Sequence, residues 1–308
     1  MTRSVVFIIS LLLLSACNFT GVESTPKVTD KEVQKTINEL ERQQSSSWLT
    51  SRPDSVPAWQ KGKQFYVTDD QIRLIMLPES IEKGDSVKLA GSILTYDGEE
   101  TGSVLDNRAT INLHFIDAHK GHWLYRTGKT PDELTSAWRI PLLIDVDMVN
   151  HVRSQLRNRD AFILTNLWYD PQDEQLYHAR KYVKVTITDV VPGNKVLPLR
   201  VNFTSDDGKR AFVWMSAPGA TMPGRDFDAM FSLSDPRLSF PSISDETWQL
   251  IVQGRVAQGM TKDECRLSMG EPRRINRLPD QTGLREYWHY DGGKYLFFAD
   301  GLLIGFRQ

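Results

Sequence analysis

Three histidines, His114, His119 and His122, fall within nine residues and surround Asp117. Imidazole and carboxylate are ligand types for zinc and related ions, which makes this stretch the first place to look for metal chemistry. The spacing argues against a shared ion, because strand residues three or five apart face opposite sides. Only a turn over Asp117 to Gly121 could bring the rings round, and solvated turn histidines are the simpler expectation. Asp145 and Asp147, with Asp170 farther on, offer carboxylates for acid-base work. Capping and turn formation account for them more simply, and Asp147 is expected to cap a helix. Cys265 falls on the core side of an amphipathic helix, where a thiol stays protonated and inert. No nucleophile elbow, glycine-rich phosphate loop or zinc spacing of cysteines and histidines occurs. No catalytic residue, metal ligand or cofactor is therefore expected, and the reading leans against an enzyme.

Covalent chemistry of another kind is expected at Cys17. Arg3 precedes an apolar run from Val5 to Leu14, and Leu14-Ser15-Ala16-Cys17 resembles the bacterial lipobox. That resemblance implies lipid on the Cys17 sulfur, cleavage just before it, and acylation of the new amine, with residues 1–16 as the signal peptide. The apolar run is too short to span the bilayer, which takes about 20 helical residues. Each buried methylene contributes about 0.8 kcal/mol, so two or three acyl chains hold a protein firmly where one holds it marginally. Asn18 is not the aspartate associated with inner-membrane retention, which points to the outer membrane. With Cys17 acylated, Cys265 is the only remaining thiol of the two cysteines, and no intramolecular disulfide can form.

These groups need elements to position them. The 37 basic residues against 39 acidic ones leave a formal net charge of -2, which provides no global field for nucleic acid, and no nucleic-acid partner is expected. Residues 17–63 are polar and read as a lipid-anchored tether, with Val33, Ile37 and Leu40 at the spacing of a short amphipathic helix. Residues 64–217 read as a mainly antiparallel β domain. Strands are expected over Phe65 to Val67, Ile72 to Met76, Val87 to Tyr96, Thr110 to Ile116, Phe162 to Tyr169, Tyr182 to Val191, Leu197 to Phe203 and Ala211 to Met215. Turns are expected at Asp97-Gly98, Gly193-Asn194 and Asp207-Gly208, the last three strands forming a meander. One helix with the stripe Val149, Val152 and Leu156 interrupts them. Residues 218–241 hold four prolines and read as a linker, in which Arg237 to Phe240 could add an edge strand.

Residues 242–308 read as two helices followed by three or four antiparallel strands, so the whole chain is of the α+β class. Ser244 or Asp245 caps the first helix, which carries Trp248, Ile251, Val252 and Val256 on one face. Thr261 and Glu264 form a capping box for the second, with Met260 and Cys265 at staple positions, and Gly270 and Pro272 end it. The segments Gly259-Met260-Thr261-Lys262, Leu267-Ser268-Met269-Gly270-Glu271-Pro272, Tyr287-Trp288-His289-Tyr290 and Phe298-Ala299-Asp300-Gly301-Leu302 resemble the SmpA/OmlA-like domain. That family includes a small lipoprotein of the outer-membrane assembly machine, and the resemblance implies binding or scaffolding without catalytic residues. Here the domain would follow a large β region instead of lying next to the lipid. Gly259, Met260, Thr261, Gly270, Pro272, Trp288 and Tyr290 carry the resemblance and read as turn, cap and core residues.

The expected function is non-catalytic: a lipid-anchored envelope protein that binds or scaffolds a protein partner, in outer-membrane assembly or maintenance. The alternative is a carbohydrate-binding protein or hydrolase with its site in the middle β domain, where Trp123, Trp138, Trp168 and Tyr169 could form a platform. Replacing Cys17 by Ser is expected to abolish labelling by a clickable fatty acid and to release the protein from the membrane fraction. Unchanged labelling would contradict the lipid anchor.

Overall fold

The computed structural model describes residues 49, 54–79, 88–105, 108–220, 222, 224–280 and 283–308. Cys17 and the stripe Val33, Ile37 and Leu40 lie outside them. Residues 45–308 form one compact unit, and its class is α+β with antiparallel sheets. Among the described residues no helix is long and apolar enough to cross a membrane.

The first sheet contains β1 (Gln64–Val67), β2 (Met76–Pro78), β3 (Ile93–Leu105), β4 (Arg108–Asp117), β5 (His122–Arg126) and β6 (Leu143–Asp145), in the order β2-β5-β4-β3-β1-β6. Phe65, Leu94, Leu113, Phe115 and Trp123 fill its own core. The second sheet contains β7 (Asp160–Ile163), β8 (Leu167–Tyr169), β9 (Leu176–His178), β10 (Val183–Pro192), β11 (Leu199–Ser205), β12 (Arg210–Met215) and β13 (Phe231–Ser232), in the order β13-β7-β10-β11-β12-β8-β9. Along β10, Val183, Val185 and Ile187 point inward between outward Lys184 and Thr186, the period of a half-buried strand. A bulge after Ile187 then resets the pattern.

Helix α1 (Val146–Leu156) packs along β10 and buries Val149, Val152 and Leu156. Its N-cap is Asp145, not Asp147: the Asp145 carboxylate accepts from the Asp147 and Met148 N–H groups. Both aspartates also bind Lys63, each at 2.9 Å, with the Lys63 side chain almost wholly buried. Burial alone would lower the Lys63 ammonium, but the Asp147 and Asp145 carboxylates hold it above its ordinary value. The carboxylate pair considered for acid-base chemistry is therefore committed to a structural cation. At the bulge, Arg153 of α1 makes a two-pronged contact with Asp189, at 2.6 and 2.9 Å, which fixes the helix against the sheet.

After the short helix α2 (Phe227–Met230) come α3 (Asp245–Val252), α4 (Lys262–Met269) and a C-terminal sheet of β14 (Arg274–Asp280), β15 (Gly283–His289), β16 (Tyr295–Ala299) and β17 (Leu302–Arg307), adjacent in chain order. The C-terminal unit does not have a separate core. Trp248, Ile251, Cys265, Trp288 and Phe298 belong to the same buried cluster as Val185, Ile187, Val201 and Phe203 of the second sheet.

Several local expectations are corrected. Ile72 to Met76 is not a strand, because Asp69 caps a 3-10 helix over Asp70–Leu74 and leaves only Met76–Pro78 extended. Asp97-Gly98 makes a bulge inside the long strand β3 instead of a hairpin turn, with Gly98 at φ 127°. Phe162 to Tyr169 breaks into β7 and β8, and Arg237 to Phe240 lies in and just past a 3-10 helix over Pro236–Ser239 capped by Asp235. The folded body also begins earlier than residue 64. Leu49 is buried in the second core, Val56 in the first, and Trp59 packs on Phe65 and Tyr96.

Candidate functional site

The C-terminal unit is assembled by caps and close backbone contacts. Ser244 accepts from the Thr247 N–H at the start of α3, where Asp245 and Glu246 favour the positive end of the helix. At α4, Thr261 and Glu264 form the reciprocal box, with the Glu264 carboxylate accepting from the Thr261 N–H at 2.7 Å. Gly259 donates its N–H to the Leu303 carbonyl and Leu303 donates to that of Met260, both at 2.8 Å, so the segment before α4 pairs with β17. Gly259 at φ 88° and Gly270 at φ 83° occupy backbone conformations that side-chain-bearing residues rarely adopt. Tyr290 donates its hydroxyl to the Gly270 carbonyl at 3.1 Å, which ties the end of α4 to the sheet. Met260 and Trp288 are buried and Pro272 is half-buried just past the helix. The residues carrying the family resemblance thus sit at joints between the helices and the sheet.

Strand partners share a face, so the register defines two surfaces. On the core side, Ile275, Trp288, Leu296 and Phe306 form one row and Arg277, Glu286, Phe298 and Leu303 the next, with Phe306 and Arg277 exposed on the two edge strands. Glu286 is 3% exposed, and its carboxylate accepts from the Trp288 indole N–H and the Lys262 ammonium at 2.9 Å each, and from Arg277 at 3.3 Å. Burial would raise the Glu286 carboxyl, but these three donors hold it below the ordinary carboxylate value.

Outward, Arg274, His289, Tyr295 and Arg307 form the first row, Asn276, Tyr287, Phe297 and Gly305 the second, and Leu278, Arg285, Ala299 and Leu302 the third. Tyr287 and Phe297 stack with ring centroids 4.2 Å apart. Tyr295, Leu302 and Leu278 are 40%, 47% and 55% exposed, so this face is open. None of the positions in these three rows is acidic, and the next pair of the register is Asp280 with Gly283. Apolar residues in contiguous rows, rimmed by arginines, are the usual composition of a protein-contact patch.

Elsewhere the candidate residues do not converge. His114 meets Glu79 at 2.6 Å and Glu100 at 3.5 Å. Asp117 instead accepts from the His119 and Gly121 N–H groups and the Trp123 indole, which closes the β4–β5 turn. Trp123 and Trp168 are buried in different cores, Trp138 is half-buried against the first core, and Tyr169 is half-buried against Phe212 and Trp214. Burial, with the Glu264 charge second, pushes the buried Cys265 thiol up to about 12, far from a thiolate nucleophile at neutral pH. Comparison with known protein families, curated proteins and solved structures gives no match.

The open face was accessible to sequence reasoning, because Tyr287, Phe297 and the arginines alternate with core residues along their strands. Tyr287, His289, Ala299 and Leu302 of that face lie inside the motif segments, interleaved with the inward Trp288 and Phe298, and only the register separates the two sets. The inner network is testable through stability. Glu286→Gln is expected to lower unfolding free energy by about 2 kcal/mol near neutral pH. Because the folded-state value of Glu286 is depressed, its contribution is full above about pH 4.5 and fades as pH falls through the lower folded value. The gap between wild type and variant, followed by urea denaturation, should therefore shrink in acid. A gap that stays constant would contradict the network.

Proposed function

We propose that this chain is a non-catalytic lipoprotein of the cell envelope, anchored through Cys17, which binds a protein partner through the open face of its C-terminal sheet. The observation that carries this reading is the outward surface itself: stacked Tyr287 and Phe297, exposed Leu278, Tyr295 and Leu302, and Arg274 and Arg307 at the rim with no acidic residue among them. Its charge favours an acidic partner segment. Its exposed leucines favour polypeptide over a sugar chain or polyphosphate, neither of which offers aliphatic groups to cover them.

The resemblance to the SmpA/OmlA-like domain supports a binding role and suggests outer-membrane assembly or maintenance as the setting. A lipid anchor raises the effective concentration of membrane neighbours, so modest affinity gives substantial occupancy. Arg274 and Arg307 are exposed, and no hydrogen bond or ion pair of their guanidinium groups occurs among the described residues. Reversing both charges should therefore leave the fold intact. In-cell crosslinking of the Arg274→Glu/Arg307→Glu protein is expected to lose a specific partner captured by wild type. Capture of the same partner in the same yield would overturn the assignment of this face.

A further inference from the structure

A cleft of about 1200 Å³ lies between the second sheet and the C-terminal unit. One wall carries the segment from His178 to Lys181 that leads into β10, and the other carries the C-terminal ends of α3 and α4 and the turn before β16. Arg180, Lys181, Arg225, Arg273 and Lys294 line it, against two acids, Glu271 and Asp291. Both acids already have partners, Arg266 for Glu271 at 3.4 Å and Arg273 for Asp291. Arg180 is likewise taken, by Asp206 at 2.5 Å and Asp207 at 2.9 Å. That leaves Lys181, Arg225 and Lys294, whose charged groups make no hydrogen bond or ion pair among the described residues.

Lys181 is the decisive member. It is only 7% exposed, its backbone N–H caps the Val252 carbonyl at the end of α3, and its ammonium sits 5.1 Å from the Tyr182 ring centroid. Burial pushes its ammonium down to about 8, with no carboxylate to hold it up. The carbonyl ends of α3 and α4 each bring roughly half a negative charge to this wall, enough to offset about one of the three free cations. The remaining excess has nothing in the described fold to neutralise it. The Lys181 side chain is mostly buried while its nitrogen keeps access to the cleft it lines, and a largely desolvated cation without a partner is the kind of group that concentrates where a ligand completes it.

We infer that this cleft binds a phosphate-class group, a phosphomonoester or diphosphate carried on a larger molecule, with Lys181 as the buried contact and Arg225 and Lys294 as the outer ones. A doubly charged oxyanion matches the unneutralised charge, whereas a single carboxylate leaves part of it uncompensated. The volume exceeds that of a bare ion, which leaves room for a larger molecule that carries the phosphate. The site is separate from the outward face of the C-terminal sheet.

The test uses the full-length Cys17→Ser chain, which carries no lipid of its own. Titration calorimetry with inorganic pyrophosphate is expected to show binding that weakens by roughly tenfold or more in Lys181→Met and clearly in Arg225→Gln, while sodium acetate at equal ionic strength gives no comparable signal. Lys181→Met removes a buried charge, so it should melt at or above the wild-type temperature near neutral pH, which separates lost binding from lost folding. Sedimentation with phosphatidylcholine vesicles, with and without phosphatidic acid, identifies the source. Lysine-dependent binding to the phosphatidic acid vesicles indicates a lipid headgroup, and pyrophosphate binding without it indicates a soluble phosphate compound. Absence of both, affinity unchanged by Lys181→Met, or an equal response to acetate would overturn the inference.

Discussion

The apolar cluster that joins Val185, Ile187 and Phe203 of the second sheet to Trp248, Cys265, Trp288 and Phe298 governs how the rest of the chain is arranged. Truncating one large buried aromatic typically costs about 3 to 5 kcal/mol, and this cluster holds several, so separating the C-terminal unit from the second sheet would expose more apolar surface than a domain of this size can spare. The cleft walls are consequently held at a set spacing by the core beneath them. Lys181 is buried because its backbone caps α3 at that seam. The open face of the C-terminal sheet is left outward for the same reason: its opposite face is already used.

Polar groups divide according to the same geometry. Where a charge lies inside the body it is matched: Lys63 by Asp145 and Asp147, and Glu286 by Lys262, Arg277 and the Trp288 indole. Such matching is what burial requires, since an uncompensated charge in the interior costs several kcal/mol. Lys181 breaks the pattern. In the outward rows of the C-terminal sheet and in the cleft cations outnumber the acids beside them, and both lie on the C-terminal unit or its seam.

Much of this was readable from local sequence signals. The capping box of Thr261 and Glu264, the cap at Ser244, the stripe Val149, Val152 and Leu156, and the turns at Gly193 and Gly208 depend on residues within a few positions of one another, and all of them form. Asp97-Gly98 misled because the same dipeptide serves a hairpin turn and a bulge, and only the pairing of β3 with β4 distinguishes them. Asp145 and Asp147 looked like a carboxylate pair because their partner, Lys63, is remote in sequence. The cleft was invisible for a related reason: Lys181, Arg225 and Lys294 are far apart in the chain, and nothing local marks Lys181 as buried. Dividing the chain at residue 241 followed a real composition change, from a proline-rich stretch to helices, but composition carries no information about which apolar faces meet.

Native-state hydrogen exchange tests the shared core most directly, because it reports the free energy at which each segment opens. If the second sheet and the C-terminal unit are one cooperative body, the slowest amides of β11 and of β15 will share one opening free energy and one denaturant dependence, with those of β4 in the first sheet free to differ. Amides of β15 and β16 that open at distinctly lower free energy than those of β11 would mean that the C-terminal unit detaches on its own, and the account of a single core would be wrong.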